Sequence, residues 1–319
     1  MSTPILLFTS LSAKKALYEA VLEDALRFNQ EARVIGADCN PECPAASSVK
    51  EFLHMPTLQG MDAKKLWDFC NRHGISHIIP SRDEDLNFFC RAKEELCEHG
   101  IHCFVTGISP LLRCQDKLEF FEHLQNLNLP VIPTSLKVTN IEGEKVVVKE
   151  RCGSGSAGVG LNLSRLAAQK WAEGMREPIF QPHIAGKEFS SEAWLDQNGQ
   201  AKGIVLRWRE KVVNGESHVT TTFQHQKWEN TILDAMRGIG LTGHALAQAI
   251  VDEDENLHLV EINARLGGAS PLSLVSGLNS IKWFLRETAG ESMEKMPFFR
   301  CPPGKRLVRE KGIVRIESV

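Results

Sequence analysis

The chain opens on a short apolar run, Ile5-Leu6-Leu7-Phe8, which stops at Thr9-Ser10 and gives way to an amphipathic stretch from Lys14 to Phe28. A four-residue apolar run bounded by polar residues predicts a buried strand, and the longer amphipathic stretch predicts a helix. The same alternation continues with a strand over Ala32 to Asp38, a helix over Asp62 to His73, a strand at Ile78-Ile79, a helix over Asp83 to His99 and a strand over His102 to Val105. Short strands alternating with helices of about a dozen residues predict a parallel α/β layer. Pro110 marks its expected end. One more helix, Lys117 to Leu127, is closed by Pro130 and Pro133.

The pattern then changes. Strands over Lys145 to Lys149 and Val159 to Leu163 flank a glycine-rich loop, followed by a helix over Leu166 to Met175 and a short apolar strand, Ile179-Phe180-Gln181. Phe189 to Leu195 and Ala201 to Arg209 alternate across Asp196-Gln-Asn-Gly199, which predicts a hairpin. A helix over Thr231 to Gly240 precedes a second hairpin, Ala245 to Val251 and Leu257 to Ile262, and Lys305 to Ile316 predicts a closing strand pair. Antiparallel hairpins carrying helices predict an α+β second half, so the expected fold class is α/β followed by α+β.

Composition narrows the partners. At 319 residues the chain suits two or three structural units. Thirty-seven basic against forty acidic residues leave a net charge of −3, which gives no electrostatic footprint for nucleic acid or an anionic membrane. No apolar run approaches the roughly eighteen residues of a membrane span. With no export signal, the nine cysteines read as reduced thiols of a cytoplasmic protein. The Cys97, His99, His102, Cys103 spacing fits no zinc pattern.

Two segments carry chemistry. Gly153-Ser154-Gly155-Ser156-Ala157-Gly158 fits G-x-G-x-x-G, but a strand follows it where a dinucleotide site needs a helix, and no Walker or kinase segment accompanies it. A glycine hairpin closing backbone N–H groups on phosphates remains, with Lys149 four residues upstream aimed at the same oxygens. A plain surface hairpin is the alternative. In Leu259-Val-Glu261-Ile-Asn263-Ala-Arg265, alternate residues share a face, so Glu261, Asn263 and Arg265 stand in a row while Val260 and Ile262 are expected in the core. A carboxylate and an amide oxygen suit Mg²⁺ held together with phosphates, Gln248 on the partner strand adds an oxygen, and Arg265 offsets phosphoryl charge. Gly267-Gly268 after the row predicts a close-approach loop. Asp83, Glu84 and Asp85 read equally as the acidic first turn of a helix or as ligand contacts. Arg207 and Arg209 read as a fork for a substrate carboxylate or as solvated side chains, Arg209 being the stronger candidate.

Lys117, Lys149, the glycine loop, Gln181-Pro-His-Ile-Ala-Gly-Lys-Glu188, Gln248 and Glu261-Ile-Asn-Ala-Arg265 occur in an order that resembles ATP-grasp enzymes, in particular one ATP-grasp unit of the carbamoyl-phosphate synthase large subunit. The resemblance spans Ile5 to Gly290. It implies an ATP-grasp fold with an N-terminal Rossmann-like pre-ATP-grasp domain over residues 1–112, a small lobe with the glycine loop over 113–185 and a large lobe with the Mg-ATP site over 186–319. It implies that Lys117 and Lys149 contact the phosphates of ATP, that Gly153, Ser154, Gly155, Ser156 and Gly158 cover them, that Gln181 and Ile184 line the adenine pocket, and that Glu188 bonds the ribose. Gln248, Glu261 and Asn263 would hold Mg²⁺, with Mn²⁺ as a substitute, and Arg265, Lys149 and Arg209 form the expected catalytic set. The activity implied is an Mg-ATP-dependent carboxylate–amine ligase working through an acyl phosphate on small molecules, and a homodimer is compatible with it. The chain lacks room for the second unit of a synthase subunit. Phosphorylation of bicarbonate or carbamate within a split enzyme, and a non-catalytic nucleotide-binding subunit, are the alternatives.

Overall fold

The computed structural model describes residues 3–153, 155 and 158–319. The first layer follows the predicted alternation: β1 (Ile5–Phe8), α1 (Lys15–Leu26), β2 (Arg33–Asp38), β3 (Phe52–His54), α2 (Ala63–Arg72), β4 (His77–Ile79), α3 (Asp83–Glu98) and β5 (His102–Cys103). The five strands form a parallel sheet in the order β3-β2-β1-β4-β5. At three residues, β3 is too short to show a period. The break expected at Pro110 lies instead inside α4 (Ile108–Gln115), which runs straight across residue 112. Pro110 stands in the first turn, where a proline has no intrahelical hydrogen bond to lose. Asp116 then caps α5 (Lys117–Asn126), accepting from the backbone N–H of Leu118 and Glu119 at 3.0 and 3.1 Å.

A three-stranded antiparallel sheet follows, built from β6 (Lys145–Glu150), β7 (Gly160–Ser164) and β8 (Pro178–Pro182) in the order β7-β6-β8, with α6 (Arg165–Ala172) on one face. The glycine loop joins β6 to β7, as expected. The third sheet contains β9 (Lys187–Leu195), β10 (Ala201–Val213), β11 (Glu216–Phe223), β12 (Gly243–Val251), β13 (Leu257–Asn263), β14 (Phe299–Arg300), β15 (Lys305–Glu310) and β16 (Ile313–Ser318). Its order is β13-β12-β9-β10-β11-β15-β16, with β14 alongside β10. Both predicted hairpins and the closing pair are present. β9 is buried without interruption from Phe189 to Leu195, because a central strand covered on both faces has no polar side. The helices α7 (Gln226–Ile239), α8 (Ser270–Val275) and α9 (Ser280–Thr288) pack on this sheet. α7 begins before Thr231 because His225 caps it, accepting from Trp228 N–H at 3.3 Å.

The parallel layer is anchored to the large sheet. Phe104, Trp194 and Phe284 pack their rings between the two, tilted for Phe104–Trp194 and Trp194–Phe284 and edge-to-face for Phe104–Phe284. Asp24 of α1, fully buried, accepts from the N–H groups of Ile281 and Lys282 at 2.8 and 3.2 Å and so caps α9 from another layer. Burial raises its carboxyl to about 6, opposed by these hydrogen bonds. Among the described residues, no helix is long and apolar enough to cross a membrane.

Candidate active site

A cleft of about 620 Å³ lies between the three-stranded sheet and the cleft face of the eight-stranded one. Strand register builds its floor. Gln248 of β12 stands opposite Glu261 of β13, and Leu246 opposite Asn263. Across the sheet the same row continues from Gln248 to Ser190 of β9 and from Ser190 to Arg207 of β10. Ala249 pairs with Leu259 and Gln248 with Glu261, so Val260 is an extra residue in a β-bulge. This corrects the expectation that Val260 points into the core: the bulge turns it, half-buried, toward the cleft. Ile262 is buried as expected.

Asn263 donates from Nδ2 to Glu261 Oε1 at 3.1 Å, which orients the amide and leaves its oxygen and the second carboxylate oxygen for other partners. Gln248 lines the cleft beside them. One carboxylate and two amides cannot replace the water around a metal ion, and no group of three or more His, Cys, Asp or Glu that could hold one exists among the described residues. The set fits Mg²⁺ that arrives with phosphate oxygens as its remaining ligands.

Two lysines line the cleft together with this row. Lys149 is 8% exposed and lines the cleft, with no hydrogen-bond partner for its ammonium among the described residues. Burial lowers its pKa to about 8; Glu261 opposes the change and Lys117 adds to it. A buried cation of this kind calls for an anion. Lys117, at the start of α5, donates to Gly153 C=O at 2.9 Å and so ties the root of the glycine loop to the helix. Arg151 clamps Asp116 with a 2.6 Å contact at the same root. Gly153 and Gly155 line the cleft, whereas Gly158 does not: its carbonyl accepts from Trp171 Nε1 at 2.8 Å at the far end of the loop. Ser154 and Ser156 fall outside the described residues.

The connection from β8 to β9 closes the other end. Gln181 is buried and donates to Thr134 Oγ1 at 2.8 Å, Ile184 is half-buried, and both line the cleft with Val147 and Ile250. Gly186 is required here, since a Cβ would lie 2.2 Å from Val251 C=O. Glu188 is exposed at the mouth and accepts from Arg209 Nε at 3.1 Å. Arg209 is thus neither solvated nor free, and burial lowers its pKa.

Sequence reasoning missed the partners of the arginines. Arg265 points from the row into the parallel layer, where Asp83 takes its Nε at 2.6 Å and its Nη2 as well. Burial works against the charged guanidinium, but the Asp83 fork outweighs it and the pKa rises. Of the two readings for the acidic turn of α3, Asp83 therefore belongs to the cleft, which it lines. Asp85 instead accepts from Ser10 Oγ at 2.5 Å and Arg82 at 2.7 Å. Arg207 is 2% exposed rather than solvated and donates to the fully buried Glu192 at 2.6 Å. His244 sits 3.5 Å from the same carboxylate, with its pKa lowered by burial to about 4. The Gly267-Gly268 approach is real: a Cβ on Gly267 would lie 2.6 Å from Leu246.

Residues 114–269 match the family described as an ATP-grasp domain, and residues 6–104 match the PylC-like, N-terminal domain. The 2-oxoglutarate carboxylase small subunit of Hydrogenobacter thermophilus is 22% identical over 212 residues, covering 56% of this chain and 44% of that protein. The chain thus matches less than half the length of this curated relative. The crystal structure of its biotin carboxylase domain dimer with MgADP, ADP and bicarbonate superposes with a TM-score of 0.74 at 17% identity, over 97% of this chain and 75% of that one. N5-carboxyaminoimidazole synthetase from Staphylococcus aureus, complexed with ADP, gives 0.73 at 16% identity over 97% and 83%. L-amino acid ligase from Bacillus licheniformis gives 0.69 at 17% over 96% and 79%. Two adjoining family matches thus give the chain an ATP-grasp domain over residues 114–269 with a PylC-like N-terminal domain in front of it.

Proposed function

We propose that the protein is an Mg-ATP-dependent ligase that phosphorylates a small carboxylate and joins it to an amine, releasing ADP and phosphate. The carrying observation is the buried Lys149, without a hydrogen-bond partner among the described residues, in the same cleft as the Glu261–Asn263 oxygen pair. Relatives crystallised with ADP, and in one case with magnesium, support the nucleotide and the metal. In this reading residues 1–112, 113–185 and 186–319 are the pre-grasp domain, small lobe and large lobe. Adenine lies against Gln181 and Ile184, Glu188 meets the ribose, and the triphosphate runs under Gly153, Ser154, Gly155, Ser156 and Gly158.

Lys117 and Lys149 hold phosphate oxygens, and the anion favours the charged form of Lys149 that burial disfavours. Gln248, Glu261 and Asn263 would hold Mg²⁺, which supplies charge compensation at the phosphates when bound. Arg265, fixed by Asp83, faces the transferring phosphoryl group with a pre-oriented guanidinium, so little reorganisation accompanies transfer. Arg209, which lines the same cleft, would hold the substrate acid. The acyl phosphate retains the energy that direct condensation in water lacks, and closure of the lobes keeps water from it. A dimer, like the biotin carboxylase domain dimer of the relative, is the assembly proposed.

Bicarbonate in the relative's crystal favours one second reading, carbamoyl-phosphate-synthase-like phosphorylation of bicarbonate or carbamate with a partner subunit. ADP release measured over a panel of carboxylic acids and amines, with bicarbonate as one member, separates the two. Glu261→Ala is expected to lower turnover by about 10²-fold or more while the chain stays folded. Normal turnover in that variant would remove Glu261 from the site, and no ADP release with any acid would end the ligase reading.

A further inference from the structure

We infer that a second cavity, of about 460 Å³ beside the free edge of β13, admits the amine that attacks the activated acid. The inference rests on the ligase reading and adds the route and charge class of the nucleophile.

Its position comes from the sheet. β13 is the terminal strand, and along its outer edge only the Val131–Leu259 bridge covers it among the described residues. From Glu261 onward that edge faces α3 and α4 across the cavity. The two cavities share Asp83, Lys117, Gly153, Glu261 and Asn263, all at the phosphate and metal end of the cleft. None of Gln181, Ile184 or Glu188 lines the second one. A nucleotide filling the first cavity occupies that approach, so the second opens where the acyl phosphate would form while remaining clear of the base.

The walls select by charge and shape. Leu86, Leu111 and Leu112 supply apolar surface, and Asn87 donates to Gln115 across it at 2.9 Å. Five carboxylates, Asp83, Glu84, Asp116, Glu119 and Glu261, stand in the lining with one cation, Lys117, while Arg265, Arg82, Arg151 and Arg113, which do not line it, pair with the first four. A wall whose own charged groups are five carboxylates and one ammonium favours a small amine over a second anion, a bias that the flanking arginines reduce but do not reverse at the cavity surface. Cys114 in the same wall is no rival nucleophile, because burial pushes its thiol up to about 12. In the step itself the ammonium first gives one proton to water at the mouth, where Leu112 is exposed, and the freed nitrogen lone pair then forms the C–N bond at the acyl carbon. The bond from the acyl carbon to the phosphate oxygen breaks, inorganic phosphate leaves with that electron pair, and the one surplus proton on nitrogen passes to water.

The test separates the two half-reactions. Positional isotope exchange in ¹⁸O-labelled ATP reports acyl-phosphate formation without an amine, using whichever carboxylic acid supports most ADP release. Amine-dependent turnover is then measured with ammonium and with isobutylammonium. Leu112→Trp, which narrows the mouth, is expected to raise the KM for isobutylammonium at least about tenfold and that for ammonium less, with isotope exchange within about twofold of wild type. Gln115→Lys is expected to raise both KM values and Gln115→Glu to lower them. Unchanged amine KM in all three variants, or exchange falling in step with amine turnover, would overturn the inference. Absence of exchange in the wild-type chain with every acid would overturn the ligase reading and this inference together.

Discussion

Replacing Lys149 by methionine weighs the electrostatics of the cleft through two measurements that must move in opposite directions. The side chain is 8% exposed, and its pKa falls from 10.5 to about 8, chiefly by burial. At about 1.4 kcal/mol per pH unit, the gap amounts to about 3 kcal/mol held against the charged form in the empty cleft. Methionine fills similar space without a charge, so the ligand-free variant is expected to be more stable than wild type by about 1–3 kcal/mol at pH 7, read by urea denaturation. Its affinity for ADP, read by calorimetry, is expected to fall about 10²-fold, or about 2.7 kcal/mol. The pH dependence fixes the sign. Between about pH 8 and 10.5 the unfolded chain keeps a proton that the folded chain has released, so wild-type stability rises with pH in that window and the variant loses the rise. ADP binding to wild type weakens over the same window, because the bound state takes the proton back. A variant less stable than wild type at pH 7, or one binding ADP equally well, would refute the reasoning.

Two further outcomes concern the scaffold. Arg207→Met and Glu192→Gln each break the buried pair at 2.6 Å and are expected to cost about 3–5 kcal/mol in urea denaturation, while the double variant Arg207→Met/Glu192→Leu recovers most of the loss. Additive losses in the double variant would show that the two side chains do not depend on each other. Gly186→Ala forces a Cβ to within 2.2 Å of Val251 C=O and is expected to lower stability by about 1–3 kcal/mol, and an unchanged melting temperature would contradict that close approach.

The sequence by itself determined what local geometry carries. Strand and helix periods located most of the elements. The turn chemistry of Asp196–Gly199 and residues 252–256 fixed both hairpins, and strand alternation put Glu261 and Asn263 on the cleft. A period-two or period-3.6 pattern is written in consecutive side chains, so it needs no knowledge of what packs against it. Elements without such a pattern escaped: β3 has three residues, and β11 carries three consecutive threonines. Tertiary structure alone decided the partners. Asp83 reaches Arg265 across 182 positions of sequence, Glu192 holds Arg207 in the core, and one extra residue in β13 turns Val260 to the cleft. The lowered pKa of Lys149 and the second cavity at the edge of β13 likewise arise only when the layers meet. Charge pairing and desolvation depend on distances between chain segments, and a bulge depends on the register of the neighbouring strand. Neither is encoded at the residue concerned, so only packing settles which arginine is clamped and which lysine is left facing the cleft.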